Sequence, residues 1–279
     1  VTLNARTLAE SEQVGQKFAA AQHAESLAAL RAIPAGKLLD ATRSNRGDFR
    51  PNVDGYYFPK PVPEIYAAGE QAHIPLLAGW NSDESPYEVL MANAKQKLTV
   101  EQFEKKARER FSDRADDFLK VYTAKDDADA LASARALAGD LFIAYGTWKW
   151  INLHAQTGGH PVYQYVFDRV RPPLPGKSIP GMEPGTYGAV HASEIEYVFG
   201  ALDSNKSFAW QPEDHKVSEQ IQQYWTNFAR TGDPNGGSLP KWPRYSGDGN
   251  HVMHLDVAPH AAPDVTRPRY LFLDTDAQK

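Results

Sequence analysis

The sequence predicts an α/β fold, a sheet with helices packed on its faces. Ile74-Pro-Leu-Leu-Ala-Gly79 is a short apolar run between breakers. It suits a fully buried strand, of the kind a parallel sheet provides, and is too short for a helix. Pro161-Val-Tyr-Gln-Tyr-Val-Phe-Asp168 is rich in the Val, Tyr and Phe that fit a pleated surface. Between these runs, residues 85–158 carry a helical pattern, so strands alternate with helices. Strands are few for 279 residues and the helical share is heavy. Either the sheet is small or part of it is missing.

The elements follow in order. Thr7-Leu-Ala-Glu10 reads as a capping box, and Val14, Phe18 and Ala21 continue it at helical spacing. A short second helix, Ser26 to Ala32, stops before Pro34. Residues 43–63 are polar and rich in Pro and Gly, which predicts an extended loop. Thr99 with Gln102 is a second capping box, followed by an apolar face of Phe103, Ala107 and Phe111. Asp126 to His154 predicts one long helix, apolar at Leu131, Leu137, Leu141, Tyr145, Trp148 and Ile151. Residues 171–188 hold five Pro and four Gly in eighteen positions, so they form an irregular loop; long loops inside compact domains are functional or disordered. Val217 to Phe228 is helical and closes on the turn Thr231-Gly-Asp-Pro-Asn-Gly-Gly237. His251 to Asp256 and Tyr270 to Asp274 alternate like strands.

Composition narrows the function. Hydrophobic residues at 42% and charged residues at 23% describe a globular chain rather than a disordered one. The net charge of −5 argues against a nucleic-acid partner, which needs a basic stripe to displace counterions from phosphates. Without cysteine, thiolate catalysis and Cys-ligated zinc are excluded within this chain. No membrane span is expected: the most apolar stretch, Ala134 to Leu153, is interrupted by Arg135, Asp140 and Lys149 and falls short of the ~18 uninterrupted apolar residues required. The chain opens without Met and without a charged-then-apolar leader, which points to a start other than that of its gene.

Most histidines have plain explanations. His251 and His254 fall on opposite faces of a strand, which disfavours a shared metal. His23, His154, His160, His215 and His260 sit in polar surroundings and read as solvated, and Asp203-Ser-Asn-Lys-Ser lacks the Gly and distal Glu of a calcium loop. His191 differs. It follows the Pro/Gly loop and opens an apolar element, so a scaffold holds it while a cleft can reach it, as a general base requires. Glu84 follows the buried strand run, and ligands in open α/β sheets collect beyond the carboxyl ends of strands. A carboxylate there can orient an imidazole through Nδ1–H. The competing reading, an N-cap cluster of Ser82, Asp83 and Ser85, accounts for Asp83 but poorly for Glu84.

Gly79-Trp-Asn-Ser-Asp-Glu84 and Gly188-Ala-Val-His-Ala-Ser-Glu-Ile-Glu-Tyr-Val-Phe-Gly200 resemble the acid and histidine motifs of the type-B carboxylesterases, the cholinesterase-like α/β-hydrolases. Trp225-Thr-Asn-Phe-Ala-Arg-Thr-Gly-Asp-Pro-Asn235, with Leu239-Pro-Lys-Trp-Pro-Arg-Tyr245, looks like that family's C-terminal helix and turn. The opening, from Leu8 to Gly15, is similar to bacterial members just beyond the nucleophile. The resemblance implies an α/β-hydrolase fold, with a mostly parallel central sheet and a helix-rich insertion. It also implies a Ser-Glu-His triad in which Glu84 and His191 are the acid and the base. Glu194 matches a position that joins a hydrogen-bond network behind the triad, while Trp80 and Tyr187 flank the two catalytic positions as candidate pocket residues.

The nucleophile is absent from the sequence. No serine stands in Gly-x-Ser-x-Gly, and the nearest approach, Gly236-Gly-Ser-Leu-Pro240, lies on the wrong side of His191. The resemblance therefore implies that residues 1–279 are the C-terminal portion of a single hydrolase domain whose sheet is incomplete alone. In it, 85–158 is the helical segment and 171–188 the active-site loop. The expected partners are the N-terminal portion of the same esterase and a small-molecule ester, with no cofactor and no metal. A non-catalytic binding or adhesion module of the same fold is the alternative.

Overall fold

A computed structural model describes residues 5–43, 49–84, 98–176, 188–247 and 251–276. The chain divides into two compact units, residues 1–70 and 71–279. In the first, the strand β1 (Arg6–Thr7) pairs in parallel with β2 (Asn52–Val53). The helices are α1 (Leu8–Ala21), α2 (Leu27–Ala32), α3 (Ala35–Thr42) and α4 (Val62–Ala67). Thr7 caps α1 through the reciprocal box with Glu10, and Ser26 caps α2. The helices α3 and α4 were not expected. Pro34 and Pro61 act as their N-caps, so each proline starts a helix, where its missing N–H costs nothing, as well as ending what precedes it. The expected loop over 43–63 accordingly contains β2 and the first turn of α4.

The second unit is built on a four-stranded sheet of order β3-β4-β5-β6, from β3 (Leu76–Asn81), β4 (Val162–Phe167), β5 (Val252–Leu255) and β6 (His260–Ala262). The first three strands are parallel and β6 returns antiparallel, so the parallel α/β class read from the sequence is the one observed. Strand β3 begins two residues later than expected, because Pro75 has no N–H for the ladder and Ile74 is exposed, and it runs on through Trp80 and Asn81. It lies so close to β4 that a Cβ at Gly79 would sit 2.2 Å from the Tyr165 carbonyl oxygen. Only glycine fits there.

Alternation along the strands sorts the core to the two faces of the sheet. Tyr163, Phe167, Met253 and Leu255 pack with Val217, Ile221 and Tyr224 of α10 (Pro212–Thr231), with Tyr197 of α9 (Ile195–Val198), and with Trp242. Helix α10 begins five residues before the expected start, with Pro212 at its first turn, and closes on Gly232 in the left-handed region. On the other face, Trp80 meets Tyr270 edge-on and Trp148 of α8 (Tyr145–Thr157) lies against the same ring.

The helical layer is α5 (Val100–Phe111), α6 (Ala115–Val121), α7 (Asp127–Gly139) and α8; residues 85–97 of the expected segment lie outside the described residues. Thr99 and Gln102 form the expected capping box, and Phe103, Ala107 and Phe111 are all buried. The expected single helix from Asp126 is interrupted by a π-helical turn, Asp140–Ala144. Its wider turn advances the phase. Leu141, expected on the apolar face, is therefore exposed, and Asp140 is buried in contact with Tyr122 and Arg269. Burial pushes the Asp140 carboxyl up to about 6.

The expected strand over Tyr270–Asp274 is instead part of a helix, α11 (Arg267–Asp276). Tyr270 and Phe272 are buried with Leu271 exposed between them, a pattern that mimics a strand over three residues; buried Leu273 breaks the alternation and completes a helical stripe. His154, read as solvated, is buried, with Nε2 2.8 Å from the Ile74 carbonyl oxygen.

Candidate active site

Beyond the carboxyl end of β3 the chain turns through Ser82 and Asp83 to Glu84. The Ser82 N–H continues the ladder to the Phe167 carbonyl at 3.0 Å. The Asp83 N–H then reaches Ala189 at 2.9 Å, and Asp83 and Val190 form an isolated parallel bridge. The segment that carries His191 is thus pinned to the end of β3 by backbone pairing. Side chains add to it: Ser82 Oγ accepts the Ala189 N–H at 3.0 Å, and Asp83 accepts the Gly188 N–H at 3.2 Å while pairing with Arg135. Gly188 permits this approach, since a Cβ there would lie 2.6 Å from Ser82 Oγ.

The two segments bring Glu84 and His191 together. His191 Nδ1 lies 2.6 Å from Glu84 Oε2. The acid is buried, while the His191 side chain is 52% exposed. The other acid oxygen, Oε1, accepts the Asn81 N–H at 2.6 Å. Burial raises the Glu84 carboxyl above its usual range, the hydrogen bonds from Asn81 and His191 oppose this, and the charge of Glu194 adds to the rise. Ala192, just after the histidine, sits in the left-handed region at φ 62°, a conformation that costs energy for any residue with a Cβ. Its carbonyl accepts from Arg171 Nη2 at 2.9 Å, and Arg171 also pairs with Glu196.

Glu194 accepts from Asn81 Nδ2 at 2.6 Å, which links it to the acid through one residue. Trp80 is buried against Tyr270 and lines a cavity of about 320 Å³ that also touches Glu84, Asp140 and His254. Tyr187, with residues 177–187 of the expected active-site loop, lies outside the described residues. Asn81 and Phe142 were not singled out from sequence. Phe142, presented by the π turn, meets the His191 ring edge-on at 5.0 Å. Only the phase shift at that turn puts it there, and no local pattern announces it. Asn81 stands inside the acid motif but carries no titratable group to draw notice.

A second pair has similar geometry. His254 Nδ1 is 2.6 Å from Asp168 Oδ2, and this hydrogen bond raises the imidazole above its usual value. The His254 ring stacks on His260 across β5 and β6. His251 lies before β5 and is exposed, apart from this pair. Among the described residues, no group of three or more His, Cys, Asp or Glu side chains converges as a metal site, and no helix is long and apolar enough to cross a membrane.

The model of the carboxylesterase family matches residues 2–272. The chain is 29% identical over 264 residues to a fumonisin B1 esterase of Sphingopyxis macrogoltabida, covering 86% of the chain and 44% of that protein. It is 28% identical over 245 residues to carboxylesterase 5A of Canis lupus familiaris, covering 83% and 41%. A shorter match, 40% identical over 126 residues, joins it to carboxylesterase 4A of Bos taurus, covering 43% of the chain and 20% of that protein. The chain spans less than half the length of each of these relatives.

Proposed function

The chain belongs to the carboxylesterase family, and on that premise we propose that it supplies the acid and the base of a serine esterase whose nucleophile is carried by another polypeptide segment. The observation that carries this reading is the 2.6 Å contact between His191 Nδ1 and buried Glu84, made while the ring itself stays half exposed. With Glu84 ionised, Nδ1 holds the proton and donates it, so Nε2 is left as an acceptor. Nε2 takes the proton of a serine hydroxyl as the oxygen attacks an ester carbonyl, and Glu84 stabilises the imidazolium that forms. The tetrahedral intermediate collapses, the alcohol leaves with the proton from His191, and the acyl group remains on the serine. Water, deprotonated by His191, then repeats the attack and frees the carboxylic acid.

The partner is the N-terminal portion of the same esterase, which would bring both the serine and the oxyanion donors. The topology supports it. Strand β3 is the terminal strand of its sheet, so one side of its ladder has no strand partner among the described residues. Each oxyanion donor is worth about 10²–10³ in rate, so this chain without that segment should not hydrolyse esters measurably.

A serine-directed phosphonate tests the proposal on a sample that contains both segments. Stoichiometric labelling of the serine in Gly-x-Ser-x-Gly, lost in His191→Ala, supports the esterase. Labelling that His191→Ala leaves unchanged rejects the role given to the histidine, and a sample that takes no label favours the binding module.

A further inference from the structure

We propose that Asn81 is a positioning residue that holds the acid and the histidine of the triad in register. Its chemistry rests on the esterase reading above; its geometry stands apart from that reading. Asn81 ends β3 and is buried, with 3% of its surface exposed. Its backbone N–H holds Glu84 Oε1 at 2.6 Å, which turns Oε2 toward the imidazole. Its side-chain Nδ2 donates to the Val190 carbonyl at 2.8 Å and to Glu194 Oε2 at 2.6 Å, with Ser193 Oγ a longer contact at 3.4 Å. Val190 precedes His191 and Glu194 follows it by three residues. One amide therefore grips both flanks of the histidine turn while its own backbone grips the acid.

The other side chains that hold this segment make different connections. Ser82 and Asp83 hold residues 188 and 189, before the histidine, and Arg171 holds Ala192 from the far side. Asn81 ties the acid's own strand to the turn on both sides of the imidazole, and it does so from the end of a sheet strand, a more precise support than a loop. The residue type matters as well. The charge of Glu194 is close enough to raise the Glu84 carboxyl. A neutral double donor between the turn and Glu194 satisfies that carboxylate without adding charge. Aspartate would have the same shape, no N–H to give, and a third negative charge. The strained φ of Ala192 gives the turn a reason to relax once this grip is lost.

The experiment reads the Nδ1–H proton directly, in the esterase that contains this chain. A proton shared between an imidazole and a carboxylate at this distance gives a far-downfield signal in a one-dimensional proton spectrum. His191 supplies one such signal, assigned by its disappearance in His191→Gln. His254 with Asp168 supplies a second at the same distance, which serves as an internal reference. In Asn81→Leu the His191 signal is expected to move upfield or vanish while the His254 signal stays. With p-nitrophenyl acetate, kcat is expected to fall about tenfold to a hundredfold with KM unchanged. An unmoved His191 signal beside an intact His254 signal overturns the proposal.

If both signals are lost the variant has not folded, and Asn81→Asp decides. There the His191 signal is expected to change, and the acid limb of the kcat/KM profile to move to higher pH because the added carboxylate favours the imidazolium. An unmoved signal and an unmoved limb in Asn81→Asp overturn the proposal equally. Failure of the esterase reading looks different: wild-type protein that hydrolyses nothing, with a His191 signal that still responds to Asn81.

Discussion

Replacing Glu84 by glutamine separates catalysis from folding. Glutamine keeps the shape of the side chain and an oxygen to accept the Asn81 N–H, but removes the charge beside His191. Unit charges 2.6 Å apart attract by about 6 kcal/mol at an effective dielectric of about 20. The ring is 52% exposed, so solvent screens the pair and about half of that remains for the imidazolium. About 3 kcal/mol corresponds to about 10²-fold in rate. The glutamine amide also favours the tautomer with the proton on Nε2, which cannot accept from a hydroxyl, and in related triads that fault reaches about 10⁴. We expect kcat/KM for p-nitrophenyl acetate at pH 8 to fall by about 10²- to 10⁴-fold in Glu84→Gln.

Stability should not follow. Burial raises the folded-state carboxyl of Glu84. The stability this group contributes is therefore present below its unfolded value and lost as pH rises through the raised one. Above that raised value the ionised acid no longer supplies it, so Glu84→Gln, which keeps an oxygen for the Asn81 N–H, should there melt no lower than wild type. A loss under about tenfold in a variant that melts normally would refute the role assigned to Glu84.

Other consequences are as direct. Gly79→Ala puts a Cβ 2.2 Å from a backbone oxygen of β4, which cannot swing aside. We expect a cost at or above the ~3 kcal/mol upper end for overpacking, read from denaturant unfolding, and a cost under ~1 kcal/mol would contradict the strand spacing. His254→Gln tests the second pair. The hydrogen bond that His254 donates to Asp168 raises the imidazole, so its stabilisation is full below the unfolded value and fades as pH rises through the folded one. The wild type should exceed His254→Gln by up to about 1 kcal/mol in mildly acid solution, with the gap closing toward alkaline pH; a gap that widens with pH would reverse the assignment.

What the sequence disclosed was whatever neighbouring residues decide. Thr7 with Glu10 and Thr99 with Gln102 are caps written within four residues, and both form. The Val, Tyr and Phe of residues 162–167 announced a strand wherever its partners lay. Glu84 and His191 stood out because an acid and an imidazole at the carboxyl side of a strand and after a Pro/Gly loop carry chemistry by type. Features that depend on distant packing were hidden. The π turn at Asp140 answers to Tyr122 and Arg269, and no local periodicity encodes it, so Leu141 was assigned to the wrong face. The partner that His154 finds when buried is the Ile74 carbonyl, eighty residues away in sequence. Helix α11 looked like a strand because five residues are too few to separate the two periods once Tyr270 and Phe272 are both apolar. Asn81 was overlooked for a different reason: its importance lies in four hydrogen bonds, three of them to residues more than a hundred positions away.

Chemical rescue tests the central claim most directly. On the proposed reading, His191→Ala removes the base and leaves an open space where a half-exposed ring stood. Hydrolysis of p-nitrophenyl acetate should fall at least about 10³-fold, and added imidazole should restore part of it in a saturable way, with no such gain in the wild type. Activity that survives His191→Ala, with imidazole making no difference, would mean that the proton leaves the serine by another route.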